Sequence, residues 1–503
     1  MKQWQLLAGV CALASVVALR PILAEDAQAP VDPTPIGDEH AVPYHLNEAD
    51  IEAGKVPLEQ IRDFGKLLFS ARFTTLDGQG RPGATSATIP TKRPPGQVPM
   101  FFRTSGPEAD SCAGCHAQPI AGGSGDFVAN VFVSPQENEF DFDTVEPELS
   151  MERGTTALFG TGLIEILSRE MTADLQREEH HAMAQARSSG KPVRVALTTK
   201  GVSFGAITCN PDGLLDIKEL QGVDPDLIVK PFGQKAVWSS LRHFTVTALS
   251  LHHGMEAIER FGPRWTGETD FGGNGVGETI TSGDLTALVL FQAMLPAPAQ
   301  VLPVDAAHRE AALHGEKLFN QIGCDSCHRT EMVIDTPFFT EPGPQNIAGT
   351  LRPEDVAKPY AIDMRKLPWS KRLNIRADGK IVVRAFTDLK RHRIADAERP
   401  HFANEKLTQS FVPVDQFRTA WLWSIGSTAP YGHRRDITTI HESIVDHGGE
   451  STESRKAYEA LPVADQKAII EFLKAQQIVP DDTWQADVAS APADATQPAN
   501  KVQ

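Results

Sequence analysis

The chain has 503 residues, enough for two or three domains with cores of their own. With 41% hydrophobic and 22% charged residues, its composition is that of a soluble globular protein. The formal charge of −17 argues against nucleic acid and anionic membrane as principal partners; it suits a basic electron carrier or a neutral substrate, or serves solubility alone.

Residues 1–24 read as an export signal: Lys2 opens it, an apolar run from Trp4 to Leu19 follows, and Ala24 before Glu25 forms a cleavage edge. The run is shorter than a membrane-spanning helix needs, although Arg20 and Pro21 end it in a way that leaves an uncleaved anchor as the alternative. No later segment has 18 consecutive apolar residues, so the expectation is a periplasmic protein with no integral membrane segment in the mature chain. Residues 25–47 read as an extended arm rich in Pro, Ala and Asp. Asn47 then caps a helix predicted over 48–70, with Ile51, Val56, Leu58, Ile61, Phe64, Leu67 and Leu68 on one face. The Pro- and Gly-rich stretch 76–98 reads as a loop, followed by Cys112-Ala113-Gly114-Cys115-His116 and a glycine-rich turn, Gly122-Gly123-Ser124-Gly125.

A helix is expected over 155–185, a small β-ribbon over 192–230, further helices over 235–260 and 284–295, and a linker at 296–299. A second unit begins near 305. Its opening helix carries Gly315-Glu316-Lys317-Leu318-Phe319 and runs into Cys324-Asp325-Ser326-Cys327-His328; a weaker echo, Gly65-Lys66-Leu67-Leu68-Phe69, stands in the first unit. Residues 462–478 read as a closing helix and the last 20 as a disordered tail. The organisation expected is a signal over 1–24, an arm over 25–47, an N-terminal unit over 48–300, a C-terminal unit over 305–480 and a tail over 481–503.

Four of the six cysteines fall into the two Cys-x-x-Cys-His motifs, Cys11 lies in the signal, and Cys209 reads as a packed free thiol. The spacing has a chemical reason. One helical turn places both thiols to bond the two vinyl groups of a haem, and the next residue points its imidazole at the iron. Cys112, Cys115, Cys324 and Cys327 are thus the expected attachment points of two covalently bound haem c groups, with His116 and His328 as proximal iron ligands. Zinc is disfavoured because each motif supplies three ligands, one short of a closed site. A thioredoxin-like pair does not require the histidine. The fold expected is mainly α: two cytochrome c-like haem domains, the first enlarged by insertions with a small β-ribbon.

The sequence resembles the bacterial di-haem oxidoreductases of the peroxidase type, also called thiol oxidoreductase-like, which are related to di-haem cytochrome c peroxidases, the methylamine-utilisation di-haem enzyme and rubber oxygenases. The resemblance rests on Asp110–His116, Phe159-Gly160-Thr161-Gly162-Leu163-Ile164-Glu165, Pro231-Phe232-Gly233-Gln234-Lys235-Ala236, Gly323–His328, Thr428-Ala429-Pro430-Tyr431-Gly432-His433 and His447-Gly448-Gly449-Glu450, within residues 50–478.

The resemblance implies His447 as the second ligand of the second haem iron, because relatives place a Met, Tyr or His 14 residues after the position of His433; a loop histidine is the alternative. His433 would lie at the haem edge or be a turn histidine. Over the first haem, peroxidases carry a glutamine and a glutamate. The corresponding helix here runs from Leu241 to Glu256, with Phe244 at the glutamine position and His252, His253 and Glu256 as the candidates for catalytic acid–base work. One of these histidines could instead bind the iron, or both could face solvent. Gln234 stands where relatives have a tryptophan between the haems, with Trp238 as a substitute or a core residue. The resemblance also implies one calcium ion, held through the backbone carbonyls of Thr428 and Pro430.

Three functions follow as expectations. The first is a peroxidase-like oxidoreductase that takes electrons from a small soluble redox protein at the second haem and reacts with peroxide at the first. The second is an oxygenase resembling rubber oxygenases, which Phe244 favours. The third is an electron carrier with both haems closed.

Overall fold

The computed structural model describes residues 36–80, 83–85, 87–92, 111–126, 128–132, 150–277 and 279–480, so the expected signal over 1–24, most of the arm and the tail over 481–503 lie outside the described residues. The described residues from His40 onward form one compact unit. The helix expected over 48–70 divides in two. Asn47 caps Glu48–Glu52 by accepting from the Ala49 amide at 2.9 Å, Gly54 then turns left-handed, and Pro57, which has no amide hydrogen, precedes Leu58–Ser70.

Leu58–Ser70 packs on Ser282–Ala293, a helix buried on all faces and opened by a reciprocal cap between Thr281 and Asp284. The approach is close: a methyl group on Gly65 would lie 2.1 Å from the Ala287 carbonyl oxygen. The same construction recurs further along. Ala306–Gln321 packs on Val463–Lys474, and a methyl on Gly315 would lie 1.9 Å from the Ala468 carbonyl oxygen. The sequence echo is therefore a helix crossing built twice, with glycine at each contact. Each crossing also delivers a phenylalanine beside a motif histidine, Phe69 to His116 at 6.1 Å and Phe319 to His328 at 6.3 Å between ring centres.

The helix expected over 235–260 is confined to Leu241–His253, because Ser240 caps it through the His243 amide and left-handed Gly254 ends it. The one expected over 155–185 runs Thr161–Ser189. The expectation of a mainly α fold needs correction. Helix and strand are mixed, and the described residues include six small sheets. The ribbon Val193–Thr199, Val202–Cys209 and Leu215–Asp216 is one of them, antiparallel throughout. Three more are built wholly after residue 330 from strands of two to four residues, too short to show an alternating pattern. Part of the expected linker also pairs: Ala299–Gln300 lies antiparallel to Gln476–Gln477.

One apolar core runs from Val42 to Ile478. Buried ions cross it. Arg242, fully buried, donates to Glu259 and to Glu341 at 2.8 Å, and burial pushes the Glu341 carboxyl up to about 7. Lys235, also fully buried, donates to the carbonyls of Pro413, Val414 and Gln416, each at 2.9 Å, with the Phe417 ring 3.5 Å from its Nζ. No helix among the described residues is long and apolar enough to cross a membrane.

Candidate functional site: two facing histidine pairs

The first motif forms the short helix Cys112–Cys115, capped by Ser111, whose Oγ accepts from the Gly114 amide at 3.1 Å. The glycine-rich turn folds back onto it. Methyl groups on Gly123 and Gly125 would strike the carbonyl oxygens of Gln118 and Cys115 at 1.9 and 2.0 Å, so only glycine permits this closure. The closure places the Gly123 carbonyl 3.3 Å from His116 Nδ1. With Nδ1–H donating to that carbonyl, the Nε2 lone pair is left to face the interior.

The helix Leu241–His253 carries His252 and His253 in its last turn. His252 lies close enough to His116 that a charge on one disfavours a charge on the other. Burial is the main cause holding each of them at about 4, so both are neutral imidazoles near pH 7. His253 is placed differently: its Nε2 is 3.4 Å from Cys112 Sγ, and its ring lies 5.9 Å from that of Phe73. Glu256 is past the helix end, where its Oε2 accepts from the Gly272 amide at 3.1 Å. His252 is thus within electrostatic reach of His116, and Glu256 lies beyond the helix end.

The second motif begins at left-handed Gly323, continues through the 3₁₀ turn Cys324–Ser326, and ends with His328, whose Nδ1 lies 3.0 Å from the Phe386 carbonyl. His447 stands just beyond the helix Ile440–Val445, with Nδ1 2.6 Å from the Ser443 carbonyl. It also lies within electrostatic reach of His328, which burial, its main influence, holds at about 4. Asp396 fixes the loop after His447. It accepts from the Gly449 amide at 2.6 Å, and these backbone amides, Gly449 first, hold its carboxyl at about 2.

Between His328 and His447 opens a cavity of about 290 Å³ walled by Phe319, Phe402, Trp421, Tyr458 and Leu473, with Cys324 and Cys327 at its edge. His392 joins that edge, 2.8 Å from both Asp388 and Glu450. Burial opposes its charge, but Asp388, Cys327 and Glu450 outweigh burial and raise it to about 11. Cys327, Asp388 and His392 are the one group of ligand-type side chains that converges among the described residues, and they belong to this edge.

His433 also lines the cavity, 4.5 Å from the Phe417 ring centre and 3.1 Å from Glu405, which also faces Arg153 and Lys235. Gln234 lines it as well and donates to the Gly154 carbonyl at 3.2 Å. Trp238 instead packs edge-on against Phe244, ring centres 5.2 Å apart. The tryptophan on the cavity wall is Trp421, with the Arg418 guanidinium 4.1 Å above it; sequence reading missed both, since nothing local to residues 418–421 announces a cavity. Arg435 was missed too. It lines the cavity while donating to the Thr428 carbonyl at 2.7 Å and to that of Pro430.

No protein-family model and no curated protein matches the sequence. Among solved structures, hydrazine synthase of Kuenenia stuttgartiensis, pressurised with xenon, aligns at 13% identity and TM-score 0.34 over 94% of this chain and 100% of that one. A MauG-like protein associated with microbial copper homeostasis aligns at 14% identity and TM-score 0.26 over 63% of this chain and 88% of that one. Both scores are below those of a shared fold.

Proposed function

We propose that the chain is an exported, periplasmic di-haem c-type oxidoreductase of the peroxidase kind. Two haems are joined through Cys112 and Cys115 and through Cys324 and Cys327, with His116 and His328 as proximal ligands. One observation carries this reading: each Cys-x-x-Cys-His turn buries its histidine within electrostatic reach of a second histidine on a separate element, His252 in one case and His447 in the other, and His328 and His447 line one cavity with both thiols of their motif. The residues fit the group. The second cavity is apolar, has both thiols at its rim, and meets imidazole on two sides, the donor set of a six-coordinate haem c.

When bound, the haems supply one-electron chemistry. The chain's residues divide the remaining work. His328 and His447, each oriented through Nδ1, close the second site and suit it to electron entry from a small soluble redox protein. His252, kept neutral by burial, takes a proton from the near oxygen of a peroxide and returns it to the oxygen that leaves as water. Each peroxide consumes two electrons and two protons and yields two waters.

The likeness of the two facing pairs favours a second reading, in which His252 ligates the first iron and the protein is an electron carrier. Electron paramagnetic resonance of the ferric protein, with turnover of peroxide by the half-reduced and fully reduced forms, separates them. The peroxidase reading requires a high-spin component in at least the half-reduced state and oxidation of a reduced cytochrome by peroxide. A low-spin spectrum in every state without turnover leaves the carrier. Loss of haem colour on denaturing gels would refute covalent attachment altogether.

A further inference from the structure

The Arg435 guanidinium sits in a cage of oxygens that the proposed chemistry does not use. Its Nη1 donates to the Thr428 carbonyl at 2.7 Å and to the Pro430 carbonyl, while its Nη2 reaches the Thr155 carbonyl and Ser124 Oγ. Three segments converge here: the 428–430 turn, the residue after the strand Ser150–Gly154, and the glycine-rich turn whose Gly123 orients His116. Room for the side chain is provided by glycine, since a methyl on Gly154 would lie 2.2 Å from Arg435 Cγ. Ser124 is 1% exposed and donates its own hydroxyl hydrogen to the Thr155 carbonyl at 2.7 Å, which turns its lone pairs towards the guanidinium.

Three carbonyls and a hydroxyl are the ligands a hard cation selects. The family resemblance assigns calcium to two of these same carbonyls. The residues do not fit that ion. A calcium bound to the oxygens of Thr428 and Pro430 would stand at about 2.4 Å from each, in the space Nη1 occupies.

We propose that Arg435 is the resident cation of this cage, taking the place of a calcium ion and tying the turn behind His116 to the turn beside the His328–His447 cavity. Burial lowers the guanidinium to about 10, which leaves it charged throughout the neutral range. A metal ion can be withdrawn by a chelator, whereas this charge is part of the backbone's own side-chain set. The site therefore needs no calcium for its integrity.

The test is the thermal midpoint of the full chain as purified, in EDTA and in excess calcium chloride, for the natural protein and for Arg435→Ala and Arg435→Lys. The natural protein is expected to melt at the same temperature in both media. Arg435→Ala is expected to melt several degrees lower, because Thr428, Pro430 and Ser124 lose this donor and the Thr155 carbonyl keeps only that of Ser124. A natural protein whose midpoint falls in EDTA and returns with calcium overturns the proposal, and so does Arg435→Ala melting with the natural protein. Should Arg435→Ala not fold, Arg435→Lys keeps the question open to decision: it retains the charge and must stay indifferent to chelator, and dependence on calcium would overturn the proposal.

Discussion

His116, His328 and His447 each set Nδ1 against a backbone carbonyl, which leaves Nε2 of each free of that bond. If the chain is the proposed di-haem protein, replacing His447 by Met should raise the second haem potential by on the order of 100 mV, because a thioether stabilises ferrous iron, with little change at the first haem. Spectroelectrochemistry checks this, and a shift confined to the first haem would refute the pairing. His252→Phe should reduce peroxide turnover by about 100-fold or more if the imidazole moves the proton. If His252 ligates iron instead, the same variant gains a high-spin signal and its turnover rises. Glu405 supplies a pH prediction. Burial raises its carboxyl, but His433, Arg153 and Lys235 outweigh burial and hold it at about 2, below its ordinary 4.5. A depressed carboxyl contributes stability that is present above pH 4.5 and lost as pH falls towards 2. Glu405→Gln should flatten the pH dependence of the melting midpoint in that interval, and an unchanged slope would exclude this carboxylate as its source. The sequence singled out Cys324, Cys327 and His447, and the fold gathers them around one cavity. Glu405, Arg418 and Arg435 were not singled out, because their meaning comes from partners elsewhere in the fold.

Among the elements, the glycines at the two helix crossings carry the sharpest expectation. Gly65→Ala and Gly315→Ala should each cost about 1–3 kcal/mol in denaturant unfolding, since each methyl meets a helix backbone that cannot yield without moving. The two variants should differ spectroscopically. Gly65→Ala shifts Phe69 beside His116, and Gly315→Ala shifts Phe319 beside His328. Equal disturbance of the spectra of both proposed haems by either variant would contradict a crossing that serves its own motif. Long amphipathic helices were readable because their apolar faces repeat over several turns, as in Val463–Lys474. The strands after residue 330 were not, since a three-residue strand such as Met332–Ile334 acquires its partner Ile381–Val383 only through tertiary structure. Capping explains the helix boundaries that moved: Ser240 delays the start of Leu241–His253 to a point after the turn that holds Trp238.

Across the whole molecule, the two motif regions share one core and are joined by buried charges. Lys235 is the clearest joint, because its three carbonyl acceptors lie near residue 415. Lys235→Met removes the ammonium and leaves those carbonyls without it. The single unfolding transition expected of the natural protein should then move down or divide in two, as followed by calorimetry; an unchanged transition would show that this joint carries no cooperativity.

The placement of Lys235 has a consequence for the order of events in biosynthesis. A ribosome makes this lysine 178 to 181 residues before the carbonyls that receive it. An ammonium cannot leave water until its acceptors exist. The Lys235 ammonium must therefore stay hydrated until residues 413–416 fold against it.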